Sequence, residues 1–357
     1  MMFTIHMLDA AHGDCLWVEY GDPARPRRIL IDTGPAATYT GSLKARIAEV
    51  VAAEGECVFE LFVVTHIDDD HIGGALRFLD EMAVNRVRIR EVWFNGYHHL
   101  SNATPDVLGA MQGEQLTELI RRSGVPWNRR FRHRAVMVPE DGPLKTVTVA
   151  GMALTVLSPS LERLQALEPV WEKTIRAAGL VPGKALRSRA TVLAKGFLGD
   201  DVEDLAATRF REDRTLPNGS SIAFLAEFEG TRVLFAADAH PGVLLQSLAR
   251  APFKGAAQPV DAFKLSHHGS AKNTSLDLLA AFPSTRYLVS TTGARFEHPD
   301  PPAIARVVTA AQGREATLYF NCESDFNRSW RHGPRQRRYG YDTEYGQPGQ
   351  GLLVQLA

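Results

Sequence analysis

The chain carries almost no net charge and very little cysteine. Its 40 Lys and Arg set against 41 Asp and Glu leave a formal charge of −1. No global basic field marks it as a nucleic-acid binder, so a polyanion would have to be met by local patches. Cysteine occurs three times, at Cys15, Cys57 and Cys322. That is too few and too scattered for a disulfide framework or a thiolate zinc site, and buried free thiols in a reducing compartment are expected. No apolar run approaches the roughly 18–20 residues of a membrane span, which excludes a membrane role. The opening MMFTIHMLDAAHGDCLW lacks a basic stretch and is interrupted by His6, Asp9, His12 and Asp14. No secretory leader is expected from it, and a cytoplasmic location is the default expectation. Internal repeats and low-complexity tracts are also missing.

What is present is an ordinary globular composition, 45% hydrophobic and 23% charged over 357 residues. A prior of roughly 150 residues per domain allows two domains, but α/β folds run longer as one. Short strands are expected at 2–8, 15–20 and 28–31, a helix at 42–54, and a strand over Glu60–Val64. That last run is almost wholly apolar, as in a strand buried on both faces. A helix from about Gly73 to Met82 and a strand at 87–94 follow. Residues 146–157 read as a hairpin turning at Ala150-Gly151. Strands at 222–228 and 232–236 are joined by Glu229-Gly230, and further strands fall at 261–265, 286–290, 316–320 and 352–356, with a helix at 302–311. The Arg-rich stretch 328–338 reads as a surface loop. The order suggests a layered α/β sandwich. The expectation is one domain over 1–357, with helical insertions at about 101–140 and 160–215.

The chemistry concentrates in Thr65-His66-Ile67-Asp68-Asp69-Asp70-His71-Ile72-Gly73-Gly74. His66, Asp68, Asp70 and His71 stand at the C-terminal end of an apolar strand, where layered α/β folds bind ligands. Mixed imidazole and carboxylate suit Zn, Mn or Fe. Helix-capping aspartates would account for the three acids, but not for the flanking histidines. Further His and Asp residues end other strands: Asp32 after Leu30-Ile31, Asp238 after Val233–Ala236, His267-His268 after Ala262–Leu265, and His298 after Tyr287–Ser290.

Several short motifs, spread in order over most of the chain, resemble the metallo-β-lactamase superfamily, and within it the soluble hydrolase domain of ComEC-type DNA-uptake proteins. They are His12-Gly13-Asp14, Ile31-Asp32-Thr33-Gly34, the His-x-Asp-x-Asp-His run, Asn218-Gly219-Ser220-Ser221, Ala237-Asp238-Ala239, Lys264–Ser270, and the segment from Thr291 to Pro299. The resemblance implies a four-layer αββα sandwich holding two divalent metal ions, Zn or Mn. It implies as ligands His66, Asp68, Asp70, His71, Asp238 and one of His267 and His268. His267 is preferred because it comes first after the strand, which leaves His268 near the substrate. Asp238 would bridge the ions, and Asp32 would hold a ligand histidine in its tautomer. Asp14 is a similar group or a turn residue. Two departures stand out. Asp68 occupies a usual histidine position, as in ComEC-type domains, and Asn218 stands where the superfamily often has a further histidine, here beside the ligands.

With Asp68, Asp70 and Asp238 ionised against two divalent ions, about one positive charge remains, which favours an anionic phosphodiester. The expected activity is therefore a metal-dependent hydrolase using a metal-activated hydroxide, of phosphodiesterase or nuclease-like type. Asp70 and Asp238 hold the catalytic ions, and His268 or His298 serves the leaving oxygen. Acyl hydrolysis (of a lactone, thioester or β-lactam) and a metal-stabilised interaction module without turnover are the alternatives. Nucleic acid is a candidate partner. The runs Arg129–Arg134 and Arg328–Arg338 could follow its backbone, and Trp127, Phe131, Trp330 and Tyr339 could stack on bases. The plainer reading of both runs is solvated surface. Lys264 is read as a strand-surface charge, with phosphate binding, alongside Lys272, as the other option.

Overall fold

A computed structural model describes residues 1–100, 111–177, 201–250 and 252–357. Among them are sixteen strands: β1 (Met2–Met7), β2 (Leu16–Asp22), β3 (Arg25–Ile31), β4 (Cys57–Phe59), β5 (Leu61–Val63), β6 (Val87–Ile89), β7 (Val92–Trp93), β8 (Thr146–Val149), β9 (Met152–Ser158), β10 (Ala223–Phe228), β11 (Thr231–Phe235), β12 (Ala262–Lys264), β13 (Arg286–Val289), β14 (Ala316–Phe320), β15 (Tyr341–Tyr345) and β16 (Leu352–Gln355). One sheet runs β16-β1-β2-β3-β5-β7 and the other β15-β14-β13-β12-β11-β10-β9-β8, while β4 and β6 form a separate ribbon. Each large sheet is antiparallel on one side and parallel on the other: β3, β5 and β7 are parallel, as are β11 to β15.

Alternation along the strands builds the layers, because successive side chains leave opposite faces. Ile29, Ile31, Leu61 and Val63 meet Phe224, Ala226, Val233 and Phe235 between the sheets. Leu30 and Phe62 point the other way, toward helices Lys44–Glu54, Ala75–Asp80, Met111–Ser123 and Leu161–Ala177. Leu225, Leu234 and Phe263 point away from the second sheet, toward helices Val202–Ala207, Pro241–Leu248, Leu276–Ala281 and Pro301–Ala311. The result is an αββα sandwich. Both faces of the central strands are covered, which is why their sequences read as unbroken apolar runs.

The structure departs from the sequence expectation in three places. The run 87–94 is two strands in different sheets, divided at Arg90-Glu91. Buried Glu91 accepts hydrogen bonds there from Trp93 Nε1 at 3.2 Å and from the Arg130 amide at 3.0 Å. The 328–338 stretch is a 3-10 turn followed by helix Gly333–Tyr339, anchored by buried Trp330 and Tyr339. Strand β15 and helices Pro241–Leu248 and Leu276–Ala281 were not anticipated. Within the two expected insertions, 101–110 and 178–200 lie outside the described residues. No helix among the described residues is long and apolar enough to cross a membrane.

Candidate metal centre

The loops at the C-terminal ends of the parallel strands converge. Asp32 follows β3, Thr65 to His71 follow β5, Asp238 follows β11, His267 and His268 follow β12, and Ser290 follows β13. Asp32, Ala237, His267 and His268 all have positive φ, at 58°, 47°, 49° and 54°. That region is costly for residues other than glycine, and such strain gathers at functional sites. Here it turns the chain sharply at each strand end. Gly13 brings in the loop after β1: a Cβ at that position would lie 1.9 Å from the Asp70 carbonyl oxygen, so only glycine allows this approach. The neighbouring Asp14 amide donates to the same carbonyl at 3.1 Å.

Asp238 is the centre. Its Oδ2 lies 3.4 Å from His71 Nε2, 3.8 Å from His66 Nε2, 3.8 Å from His267 Nε2 and 4.0 Å from His268 Nε2. His268 Nε2 is also 3.4 Å from Asp70 Oδ2, and His66 Nε2 is 3.7 Å from Asp68 Oδ2. These separations exceed ordinary hydrogen bonds. The buried Nε2 atoms of His66, His71 and His268, with Asp238 Oδ1, have no hydrogen-bond partner. Each such atom costs about 1–3 kcal/mol when left unsatisfied. Several facing one another form a donor set suited to cations.

The opposite edge of each ring is tied down. His71 Nδ1 donates to Asp32 Oδ2 at 2.7 Å. Asp32 in turn accepts from the Thr65 amide and hydroxyl, both at 2.7 Å. The Thr65 hydroxyl oxygen then accepts from His66 Nδ1 at 3.1 Å. His268 Nδ1 donates to the Ser290 carbonyl at 2.8 Å, and His267 Nδ1 donates to Asn273 Oδ1 at 3.1 Å. With the proton on Nδ1 of His66, His71 and His268, the Nε2 lone pair of each neutral ring is left facing inward.

The electrostatics point the same way. Asp14, Asp32, Asp70 and Asp238 are buried together, and among the described residues Lys264 is the one buried permanent cation paired into the group. Burial alone would push the carboxyls up. His71, His267 and His268 outweigh it at Asp238 and hold that group well below the usual range. Asp70 is likewise lowered, chiefly by His268 and His71. Burial disfavours the His268 imidazolium, yet Asp14, Asp238 and Asp70 raise its pKa to about 9. His71 is raised well above the ordinary imidazole value by Asp238 and Asp32. Protons on the imidazoles answer an excess of buried negative charge, and divalent cations would answer it better. The clusters His66–His71–Asp238 and Asp70–His71–His268 each have the composition and spacing to hold a metal ion.

The sequence-read residues His66, Asp68, Asp70, His71, Asp238, His267 and His268 thus come together. Asp68 is the most exposed of the carboxylates, at 41% of its side chain. The two adjacent histidines differ in depth: His268 is fully buried beside Asp70, whereas His267 is nearer solvent. Asp32 stands behind His71. Buried Asn218 donates to Asp213 Oδ2 at 2.6 Å, and its Nδ2 lies 3.2 Å from His267 Nδ1. His298 is buried beside His267, its ring centroid 5.1 Å from that of His267 and its Nδ1 3.4 Å from Asp300 Oδ1.

Lys264 is a correction. It is buried rather than on a strand surface, donating to Asp14 Oδ2 at 2.8 Å and to the Leu265 carbonyl at 3.2 Å. The pair backs His268, since Asp14 Oδ1 is 3.4 Å from its Nδ1. Sequence reasoning also missed Asp213, which accepts from Thr215, Asn218 and Asn273. It missed Asn273 and Thr65 as partners of the histidines too. Lys264 was findable: a lysine inside an otherwise apolar strand next to a His-His pair needs a buried acid. Asp213 follows no strand and had no such signal. The proposed stacking aromatics are core residues, with Phe131, Trp330 and Tyr339 buried and Trp127 donating from Nε1 to the Phe94 carbonyl.

Among solved structures, the chain is similar to the metallo-beta-lactamase fold protein YhfI from Bacillus subtilis, at 8% identity and a TM-score of 0.41, covering 99% of this chain and 100% of that one. It is similar to CmlA, a diiron beta-hydroxylase from Streptomyces venezuelae, at 15% identity and a TM-score of 0.40, over 99% of this chain but 54% of that one. It is also similar to a diphosphatase from the PhnP family, at 11% identity and a TM-score of 0.38, covering 99% and 97%. No curated protein matches the sequence. The sequence profile of the Metallo-beta-lactamase superfamily matches residues 15–292, a span that includes the loops after β3, β5, β11, β12 and β13. Members of that family bind divalent metals, usually two, and the His/Asp clusters here fit that habit. The chain belongs to the metallo-β-lactamase superfamily.

Proposed function

We propose that the protein is a binuclear metal-dependent phosphodiesterase of nuclease-like type, related in its site to ComEC-type domains. The observation that carries the reading is the donor set around Asp238. Unpaired Nε2 atoms meet three acids, and one of those acids, Asp68, stands at a position where the superfamily usually has imidazole. Carboxylate in place of imidazole hardens the site, favouring Mn²⁺ over Zn²⁺ and an anionic substrate over a neutral acyl group.

Asp70, His71 and His268 would hold one ion. His66, Asp68 and His267 would hold the other, with Asp238 shared. When bound, the ions supply Lewis acidity and a water acidic enough to act as nucleophile near neutral pH. Asp32 fixes the tautomer of His71, and Thr65 passes the same constraint to His66. Asp14 and Lys264 brace His268 from behind. His298, beside His267 and 3.4 Å from Asp300, would deliver a proton to the leaving oxygen.

The test joins elemental analysis of protein purified without added metal to turnover of bis-p-nitrophenyl phosphate with Mn²⁺ and with Zn²⁺, for wild type and Asp238→Asn. Near-stoichiometric loading at two positions and turnover lost in the variant are expected. Turnover surviving in Asp238→Asn, or acyl esters cleaved in place of the diester, would overturn the reading.

A further inference from the structure

The two basic runs that stand out in the sequence are partly or wholly spent on other contacts. In the second, Arg328 pairs with Asp325 at 2.9 Å, Arg331 with Glu323 at 3.0 Å and Arg338 with Glu203 at 3.1 Å. In the first, Arg130 pairs with buried Glu91. Arg129 and Arg130 lie in a hollow with Glu60 and Glu91, the residues that precede β5 and β7, so they sit at the opposite end of those strands from the metal centre.

A third group of cations behaves differently. Arg209, Arg211, Arg214 and Lys272 are exposed and line one cleft of about 900 Å³ together with Phe210, Glu212, Asp213 and Thr215. Among the described residues none of the four cations has an ion-pair partner. The acids between them line the same cleft but are engaged by other partners. Glu212 Oε1 accepts from the Gly242 amide at 2.5 Å, at the start of helix Pro241–Leu248. Asp213 accepts from Thr215, Asn218 and Asn273. A stretch whose sequence alternates in charge therefore presents mainly its positive charge outward, in a concave surface that concentrates the field.

This cleft shares a wall with the metal centre. The Asp213 amide donates to the Lys272 carbonyl at 3.1 Å, which ties the arginine segment to the loop that carries His267 and His268. From the same residue, Oδ2 reaches to 3.6 Å from His267 Nδ1, and His267 Nε2 faces Asp238. A cleft of this volume is at the upper end for a whole small ligand, far more than one phosphate needs, and it carries four unpaired cations.

Resting on the phosphodiesterase reading, we propose that this cleft binds the phosphates flanking the bond presented to the metals, so that the substrate is an oligonucleotide strand rather than a small diester. Each contact would release counterions, making binding steeply dependent on salt.

The experiment measures fluorescence anisotropy of a short labelled oligonucleotide with phosphorothioate linkages, titrated with the metal-loaded protein between ~50 and ~200 mM salt. Wild type is expected to bind and to weaken steeply with salt. The triple variant Arg209→Ala/Arg211→Ala/Arg214→Ala should bind roughly ten- to a hundred-fold more weakly, with a log–log salt slope flatter by about 2–3. The charge-matched control Arg328→Ala/Arg331→Ala/Arg338→Ala should follow wild type. If the triple variant melts early, the charge reversals Arg211→Glu and Lys272→Glu, made singly, read the same effect. Absence of wild-type binding, equal loss in the control, or a triple variant that binds like wild type would overturn the cleft. Tripolyphosphate competing as well as the oligonucleotide would overturn the substrate class. Oligonucleotide bound in this manner without any diester cleaved would sink the phosphodiesterase reading and leave the cleft standing. Diester cleaved with no oligonucleotide bound would do the reverse.

Discussion

The two halves of the metal centre are built to different standards. Around Asp70, His71 and His268 the supporting groups are charged, buried and connected: Asp32 holds His71, the Asp14–Lys264 pair stands behind His268, and the Ser290 carbonyl fixes its tautomer. Around His66, Asp68 and His267 the support comes largely from neutral groups, Thr65 and Asn273, and both Asp68 and His267 reach toward solvent. A buried ionic frame is stiff because releasing any member leaves a charge unpaired. Thr65 and Asn273 are themselves buried, but as neutral groups they can let go without stranding a charge. With two ions bound, the buried first half would hold its ion the more rigidly, and the second would lie nearer solvent.

That contrast can be broken or sharpened by experiment. The largest effect belongs to Asp238→Asn, which removes the shared carboxylate and is expected to cost at least about a thousandfold in turnover and to lower metal content in both halves by elemental analysis. Lys264→Met comes next. It strands buried Asp14, and urea unfolding should show a loss of about 3–5 kcal/mol. A near-neutral result would mean the ionic frame is not what stiffens the inner half. Asp32→Ala should then weaken metal affinity by roughly 10–100-fold, measured by competition with a chromogenic chelator, while Asn218→Ala stays at or below the lower end of that range. Equal penalties would erase the distinction between the halves.

The smallest effect is in pH. His268, raised to about 9, stabilises the metal-free fold fully below the unfolded imidazole pKa of about 6.5, and that contribution is lost as pH rises through about 9; His71, also raised, acts in the same direction. In EDTA the Tm should therefore fall between roughly pH 7 and 9.5, whereas metal-loaded protein should hold its Tm there, because the ions replace the protons.

Much of the sandwich was legible because its central strands are covered on both faces and their apolar runs are unbroken. Strands β5, β10 and β11 fall where those runs are. What escaped detection had weaker or conflicting patterns. Strand β15, Tyr341-Asp342-Thr343-Glu344-Tyr345, lies at a sheet edge and is largely polar, as edges often are. The split at Arg90-Glu91 depends on a buried acid whose partner Arg130 lies 39 residues away. The histidines and aspartates of the site announced themselves by ending strands. Asp213 and Asn273 did not, since they matter only through partners brought close by folding. The third basic cluster was hidden for a related reason. In sequence its arginines are interleaved with Glu212 and Asp213, and only the fold engages those acids with Gly242, Thr215, Asn218 and Asn273.

The pairing of β1 with β16, Ile5 opposite Val354, has a consequence for the protein's birth. β1 is made well before β16, so this pairing waits until the chain between them has been synthesised. At about 5–20 residues per second that wait is on the order of 20–70 seconds. The segments that supply His66 through His268 leave the ribosome well before then, so the centre can capture its ions while the six-stranded sheet still has an open edge.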